Sequence, residues 1–197
     1  MPRIVLATGN PGKVKEFAEM LPPPHWDLIG LKDLGFLQDI PETGMTFREN
    51  ALIKAQALAQ VTDMPVLSDD SGLMVAALNG APGVHTARYA GEGATSEANR
   101  RKLLTELTVA GALNILDRRA AFICVLCWLA PGEEPRFFEG RCEGHIVSQP
   151  SGNGGFGYDS LFQPVGEIKT FAELPAHVKH GRSHRGAAIQ ALLNFMA

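Results

Sequence analysis

Apolar and polar positions fall into alternating blocks along this chain, and the blocks predict a mixed α/β protein. Ile4-Val5-Leu6-Ala7 is an apolar run of strand length. It turns through Thr8-Gly9-Asn10-Pro11-Gly12-Lys13 into a helical pattern from Pro11 to about Leu21, which Pro22-Pro23-Pro24 stops. Trp26 to Leu31 reads as a second strand and Lys32 to Gly44 as a loop. Thr46-Phe47-Arg48-Glu49 has capping-box spacing and precedes a helix rich in Ala, Leu and Lys, from Ala51 to Val61. Met64 to Ser68 reads as a short buried strand ending in Asp69-Asp70-Ser71-Gly72, and Leu73 to Ala77 can continue the sheet. Asn79 to Ala94 is a glycine-rich loop with helical turns, and Thr95 to Leu107 is an amphipathic helix. Ala120 to Ala130 and Arg136 to Ser148 are long strands joined at Pro131-Gly132-Glu133-Glu134-Pro135, a hairpin signal. After the glycine-rich stretch Gln149 to Asp159, Ser183 caps a last helix from Gly186 to Met196. The hairpin makes the sheet mixed or partly antiparallel.

Composition narrows the function. The chain has 197 residues, 45% hydrophobic and 20% charged, enough for one domain with a core. A net charge of −3 disfavours a broad basic footprint for nucleic acid, so none is expected as a partner. No apolar run reaches about 18 residues, which argues against a membrane span. The N-terminus lacks a charged-then-apolar signal pattern. Cys124, Cys127 and Cys142 are odd in number, and the C-x-x-C pair lies in a predicted strand, where residues three apart face opposite sides. A shared metal or redox site is therefore disfavoured. Reduced thiols without a signal pattern point to the cytoplasm.

Four segments carry candidate chemistry. The strand–turn–helix at Thr8 to Lys13 leaves backbone N–H groups at the positive end of a helix dipole, an anion site. Gly9 and Gly12 allow close approach, Asn10 can cap the helix, and Lys13 stands against the dipole, as if for a partner anion. The spacing is neither a Walker A loop nor G-x-G-x-x-G; an ordinary corner with an exposed lysine is the alternative. Asp69-Asp70 at a strand end places two carboxylates together, which a shared cation or proton relieves. Mg²⁺ takes carboxylate and phosphate oxygens together. Solvated aspartates in an Asx-turn are the alternative, and Glu42 joins such a site only if it reaches the same cation. Ser151 to Asp159 joins flexible backbone to Phe156 and Tyr158, and an aromatic face can stack on a nucleobase; a long turn whose Phe packs inward is the alternative. His177, Lys179, His180, Arg182, His184 and Arg185 form a basic cluster, either solvated or, at Ser183-His184-Arg185, offering donors to a carbonyl or phosphate oxygen.

These segments occur in a familiar order. Thr8-Gly9-Asn10-x-x-Lys13, Glu42-Thr43-Gly44-x-Thr46-Phe47-x-Glu49-Asn50-Ala51, Ser68-Asp69-Asp70-Ser71-Gly72-Leu73, Ala81-Pro82-Gly83-Val84-x-x-Ala87-Arg88-Tyr89, Gly155-Phe156-Gly157-Tyr158-Asp159 and Ser183-His184-Arg185-Gly186 follow one another. Together they resemble the inosine triphosphate pyrophosphatase family over nearly the whole chain. The resemblance implies an elongated α/β fold, one catalytic domain over residues 1–197, with two lobes around a central mixed sheet and the active site in the cleft between them. It implies Mg²⁺-dependent hydrolysis of ITP, dITP and XTP to the monophosphate and pyrophosphate, by a homodimer.

The resemblance also implies roles. Asp70 is the general base, and Glu42, Asp70 and Asp69 are the metal-site acids, their duties undivided. Thr8, Gly9, Asn10 and the catalytic-site Lys13 hold the triphosphate, with Ser71 beside Asp70. Lys179 matches a substrate-binding lysine; His184 and Arg185 face the 6-oxo group of the base; Phe156 stacks on it within Phe156-Gly157-Tyr158-Asp159. Fixed donors left facing an adenine amino group cost about 1–3 kcal/mol each, which disfavours ATP; rejection of GTP needs a further device, such as intolerance of its 2-amino group. A pyrophosphatase for modified pyrimidine triphosphates, as in the related septum-formation-inhibitor fold, is the alternative enzyme, which Ser183-His184-Arg185 disfavours. A nucleotide-binding sensor without turnover is the alternative outside catalysis.

Overall fold

Local signals of the kind expected start and stop most elements. In the computed structural model, which describes residues 3–197, β1 (Arg3–Ala7) leads into α1 (Pro11–Met20) and β2 (Asp27–Ile29). The capping box is present at α2 (Phe47–Ala59): Thr46 accepts the Glu49 N–H, and Glu49 accepts the Thr46 N–H. β3 (Val66–Val75), α3 (Ser96–Val109), β4 (Arg119–Leu129) and β5 (Arg136–Ile146) follow. β6 (Phe162–Pro164), α4 (Ala176–Arg182) and α5 (His184–Met196) complete the chain. A short 3-10 turn at Gly83–Arg88 lies in the glycine-rich loop; another, Ala76–Leu78, precedes it and ends the strand at Val75, short of the expected Ala77.

The six strands are ordered β2-β1-β3-β4-β5-β6. β1 runs parallel to β2, pairing Ile4 with Leu28, and parallel to β3, pairing Leu6 with Leu67. β6 is antiparallel to β5, pairing His145 with Gln163. The sheet is therefore mixed, as the hairpin predicted. β6, α4 and a 3-10 turn at Ile115–Arg118 were not expected. β3 also corrects an expected break: one ten-residue strand runs through Asp69 and Asp70, which sit mid-strand and buried.

The chain forms two units. The first comprises residues up to Asp70, Cys124–Gly140 and Ala188–Ala197; the second comprises Ser71–Ile123 and Arg141–Ala187. The first packs around Ile4, Leu6, Phe17, Leu67, Leu126, Trp128 and Leu192, the second around Leu73, Leu103, Leu107, Phe122, Ile146, Phe162 and Phe171.

Candidate functional site

In the first unit, the loop before α1 is held by its own side chains. Asn10 Oδ1 accepts the N–H of Gly12 at 2.9 Å and of Lys13 at 3.2 Å, and Thr8 Oγ1 accepts the Asn10 N–H at 3.2 Å. Asn10 is the expected cap, with Pro11 at the first helical position. Three N–H groups at this turn, those of Asn10, Gly12 and Lys13, are thus taken by Thr8 and Asn10 rather than left open to an anion. What this loop projects is Lys13, whose Nζ donates to Asp69 Oδ1 at 2.5 Å and to the Asp69 carbonyl at 3.5 Å. Cys124 Sγ donates to the other Asp69 oxygen at 3.3 Å. Asp69 is fully buried, so its charge is tolerable only with such partners.

Asp70 belongs to a different cluster. Neighbours in a strand point to opposite faces, and β3 sends Asp70 toward α2. There Lys54 Nζ donates to Asp70 Oδ1 at 2.7 Å and to Glu42 Oε1 at 3.0 Å. The structure thus brings Glu42 and Asp70 together and gives Asp69 to Lys13. Lys54 is 7% exposed. It was missed by sequence reasoning, although a signal existed: it lies on the same helix face as Ala51, Ala55 and Leu58, all buried, and a lysine is rarely buried without a partner. Ser68 Oγ ties β3 to the same helix, donating to the Ala51 carbonyl at 2.6 Å.

The loop that carries Glu42 lies flat on the start of α2. The Gly44 N–H donates to Asn50 Oδ1 at 2.8 Å, and a Cβ at Gly44 would stand 2.6 Å from Glu49 Cβ. The electrostatics follow from one ammonium serving two carboxylates. Burial pulls the Lys54 pKa down, but Asp70, Glu42 and Asp69 outweigh it and leave it above 10.5. Burial pushes the Asp70 carboxyl above 3.8, opposed by Lys54 and Lys13 and helped by Glu42. Asp70 Oδ2 is buried with no hydrogen-bond partner among the described residues.

In the second unit, Ser71 Oγ accepts from Arg185 Nη2 at 2.8 Å, and the Arg185 guanidinium lies 5.9 Å from the Phe156 ring centre. Asp159 Oδ2 accepts the Phe156 N–H at 2.8 Å and the Lys179 ammonium at 2.6 Å. Lys179 is also 5.3 Å from the Phe156 ring centre, within cation–π range. Gly155 has φ 68°, and a Cβ there would collide with the Asp159 carboxylate. Gly157 takes its carbonyl bond from Arg100 Nη1 at 2.7 Å, a tether the sequence did not reveal. Tyr158 turns inward, its hydroxyl donating to the Thr86 carbonyl at 3.0 Å, so Phe156 is the aromatic left partly exposed. His184 stacks on Phe122, ring centres 4.7 Å apart at 11°. Lys179, Ser183, His184 and Arg185 are buried, which removes the solvated-surface alternative for them.

Among the described residues no three Asp, Glu, His or Cys side chains converge as a complete metal cage. The pair Glu42 and Asp70, with a buried unpartnered oxygen, still fits Mg²⁺, which is commonly held by one or two carboxylates and substrate phosphates. All three cysteines are buried thiols, and burial pushes Cys127 up to about 12, far from a thiolate. Among the described residues no helix is long and apolar enough to cross a membrane.

A buried lysine thus bridges an acid pair in the unit that also carries the Lys13 strand–loop–helix, on a mixed α/β sheet. The model of the Ham1 family matches residues 4–195, and the chain belongs to that family. It is 45% identical over 192 residues to the dITP/XTP pyrophosphatase of Bacillus subtilis, covering 98% of this chain and 96% of the relative. It is 46% identical over 198 residues to the dITP/XTP pyrophosphatase of Yersinia pestis, covering 98% of each. The solved HAM1 protein from Coxiella burnetii matches with a TM-score of 0.88 at 40% identity, over 100% of this chain and 98% of that one. The Ham1 protein of Staphylococcus aureus matches at a TM-score of 0.85 and 42% identity, over 98% and 97%.

Proposed function

We propose that this chain hydrolyses deaminated purine nucleoside triphosphates, ITP, dITP and XTP, to the monophosphate and pyrophosphate, and so cleanses the nucleotide pool. The observation that carries the chemistry is the Glu42–Lys54–Asp70 cluster, in which Asp70 keeps one buried oxygen unpartnered. Full-length similarity to two dITP/XTP pyrophosphatases supports the substrate class.

Asp70 takes the proton of the attacking water as the bond between the α- and β-phosphates breaks, a general base raised by burial toward the working pH. Glu42 and Asp70 are the residues that would hold Mg²⁺, and Asp69 instead orients Lys13. When bound, the cation neutralises charge on the leaving pyrophosphate. Lys13 meets the triphosphate, with Thr8, Gly9 and Asn10 shaping its loop. Phe156 stacks on the base, with Gly157, Tyr158 and Asp159 fixing the loop that carries it. His184 and Arg185 donate to the 6-oxo group, and Lys179 contributes a second cation at the nucleotide. Ser71 holds Arg185. The protein acts as a homodimer in the cytoplasm.

Release of pyrophosphate from ITP, dITP, XTP, GTP and ATP, with Mg²⁺ and with EDTA, tests this reading. The first three release pyrophosphate only with Mg²⁺, and GTP and ATP run at least about a hundredfold slower, about 2.7 kcal/mol of base discrimination. Release of orthophosphate, or equal rates on ATP, overturns it.

A further inference from the structure

Glu42 and Asp70 are both occupied by one group, the Lys54 ammonium, at 3.0 and 2.7 Å. We propose that Lys54 is the resident counter-ion of the divalent-metal site, that it holds free cations out, and that the metal therefore enters with the nucleotide. The inference rests on the reading of Glu42 and Asp70 as the metal acids.

The argument is electrostatic and geometric. A cation approaching these carboxylates meets an ammonium already between them, and like charges at this range repel strongly in a partly buried site. Without Lys54, the buried Asp70 and the partly exposed Glu42 repel each other and gain most from any cation that joins them. A plain structural ion pair needs one carboxylate; Lys54 spans two, from different segments, while Asp70 Oδ2 stays unpartnered. The ammonium is a compact charge on a flexible four-carbon stem with three donors, so it can move to another anion without the helix moving. A triphosphate supplies that anion. It compensates Lys54 and brings phosphate oxygens to the metal in the same event.

Mn²⁺ titrated into the full chain without nucleotide, with free Mn²⁺ read by electron paramagnetic resonance, tests this directly. Lys54→Met removes the charge and keeps most of the stem. It is expected to bind Mn²⁺ about tenfold tighter than wild type or more, from relief of like-charge repulsion. Lys54→Arg, which keeps the charge, binds as weakly as wild type. Adding Glu42→Gln to Lys54→Met abolishes the gain. Thermal melts check folding, and Lys54→Gln repeats the measurement if the Met variant does not fold. Equal Mn²⁺ affinity in wild type and the uncharged variants overturns the inference, even if wild type hydrolyses ITP only with Mg²⁺. The full ladder of affinities upholds it, even if the substrate panel fails and the proposed function with it.

Discussion

At the scale of single residues, two adjacent aspartates do different work because a strand turns them apart. Asp69 faces Lys13 and Cys124, and Asp70 faces Lys54. Asp70→Asn keeps the shape and the acceptor for Lys54 but loses the carboxylate proposed as the base. Its kcat is expected to fall by about 10²–10⁴ with nucleotide affinity nearly kept; near-native turnover removes Asp70 from that role. The pKa direction gives a second outcome. A base works only when ionised, so a carboxyl held above 3.8 moves the acid limb of kcat/KM to higher pH than an ordinary aspartate gives. Lys54 is the strongest influence pulling that value down, so Lys54→Met should move the Asp70 titration higher still. Carbon NMR of the Asp70 carboxyl reads both proteins, and a lower value in the variant refutes the assignment.

At the scale of elements, local signals were legible and pairings across the chain were not. The Thr46 box and the Asn10 cap follow from residues within three or four positions, and both formed. Carboxylates disfavour strand interiors, yet the break expected at Asp69 did not form, because lysines from α1 and α2 each neutralise one of the two aspartates. Those partners lie 56 and 16 residues away, beyond the reach of periodicity. α4 escaped for a related reason: the cluster of His177, Lys179 and His180 left a solvated surface open as an alternative, whereas Lys179 is buried on Asp159. The loop before α2 tests whether element geometry sets the site. In Gly44→Ala the new Cβ meets Glu49 Cβ at 2.6 Å and Asn50 Oδ1 at 2.7 Å, so the backbone two residues after Glu42 must lift. A cost of about 1–3 kcal/mol is expected from this overpacking, with a higher Mg²⁺ concentration for half-maximal activity. Thr46→Ala removes a cap at the same helix end for about 1 kcal/mol and leaves the Mg²⁺ requirement nearly unchanged. Equal Mg²⁺ requirements in the two variants would show that the loop does not place Glu42.

At the scale of the whole molecule, each unit has its own core, yet β3, β4 and β5 each run through both. β3 gives Leu67 to the first core and Leu73 to the second, and β4 gives Leu126 to the first and Phe122 to the second. A strand cannot melt over half its length without exposing the ladder groups of the rest, so we expect one cooperative unit over the chain. The sequence provides natural probes. Trp26 and Trp128, its two tryptophans, lie in the first unit, and Tyr89 and Tyr158, its two tyrosines, lie in the second. Leu107→Ala in the second core should cost about 2–5 kcal/mol, and so should Leu126→Ala in the first. If folding is one transition, each variant shifts tryptophan fluorescence and fluorotyrosine NMR to the same new midpoint. If Leu107→Ala moves the tyrosine signal and leaves the tryptophan signal in place, the two units fold as separate domains, and the Glu42–Lys54–Asp70 cluster outlasts the Phe156 loop as the protein melts.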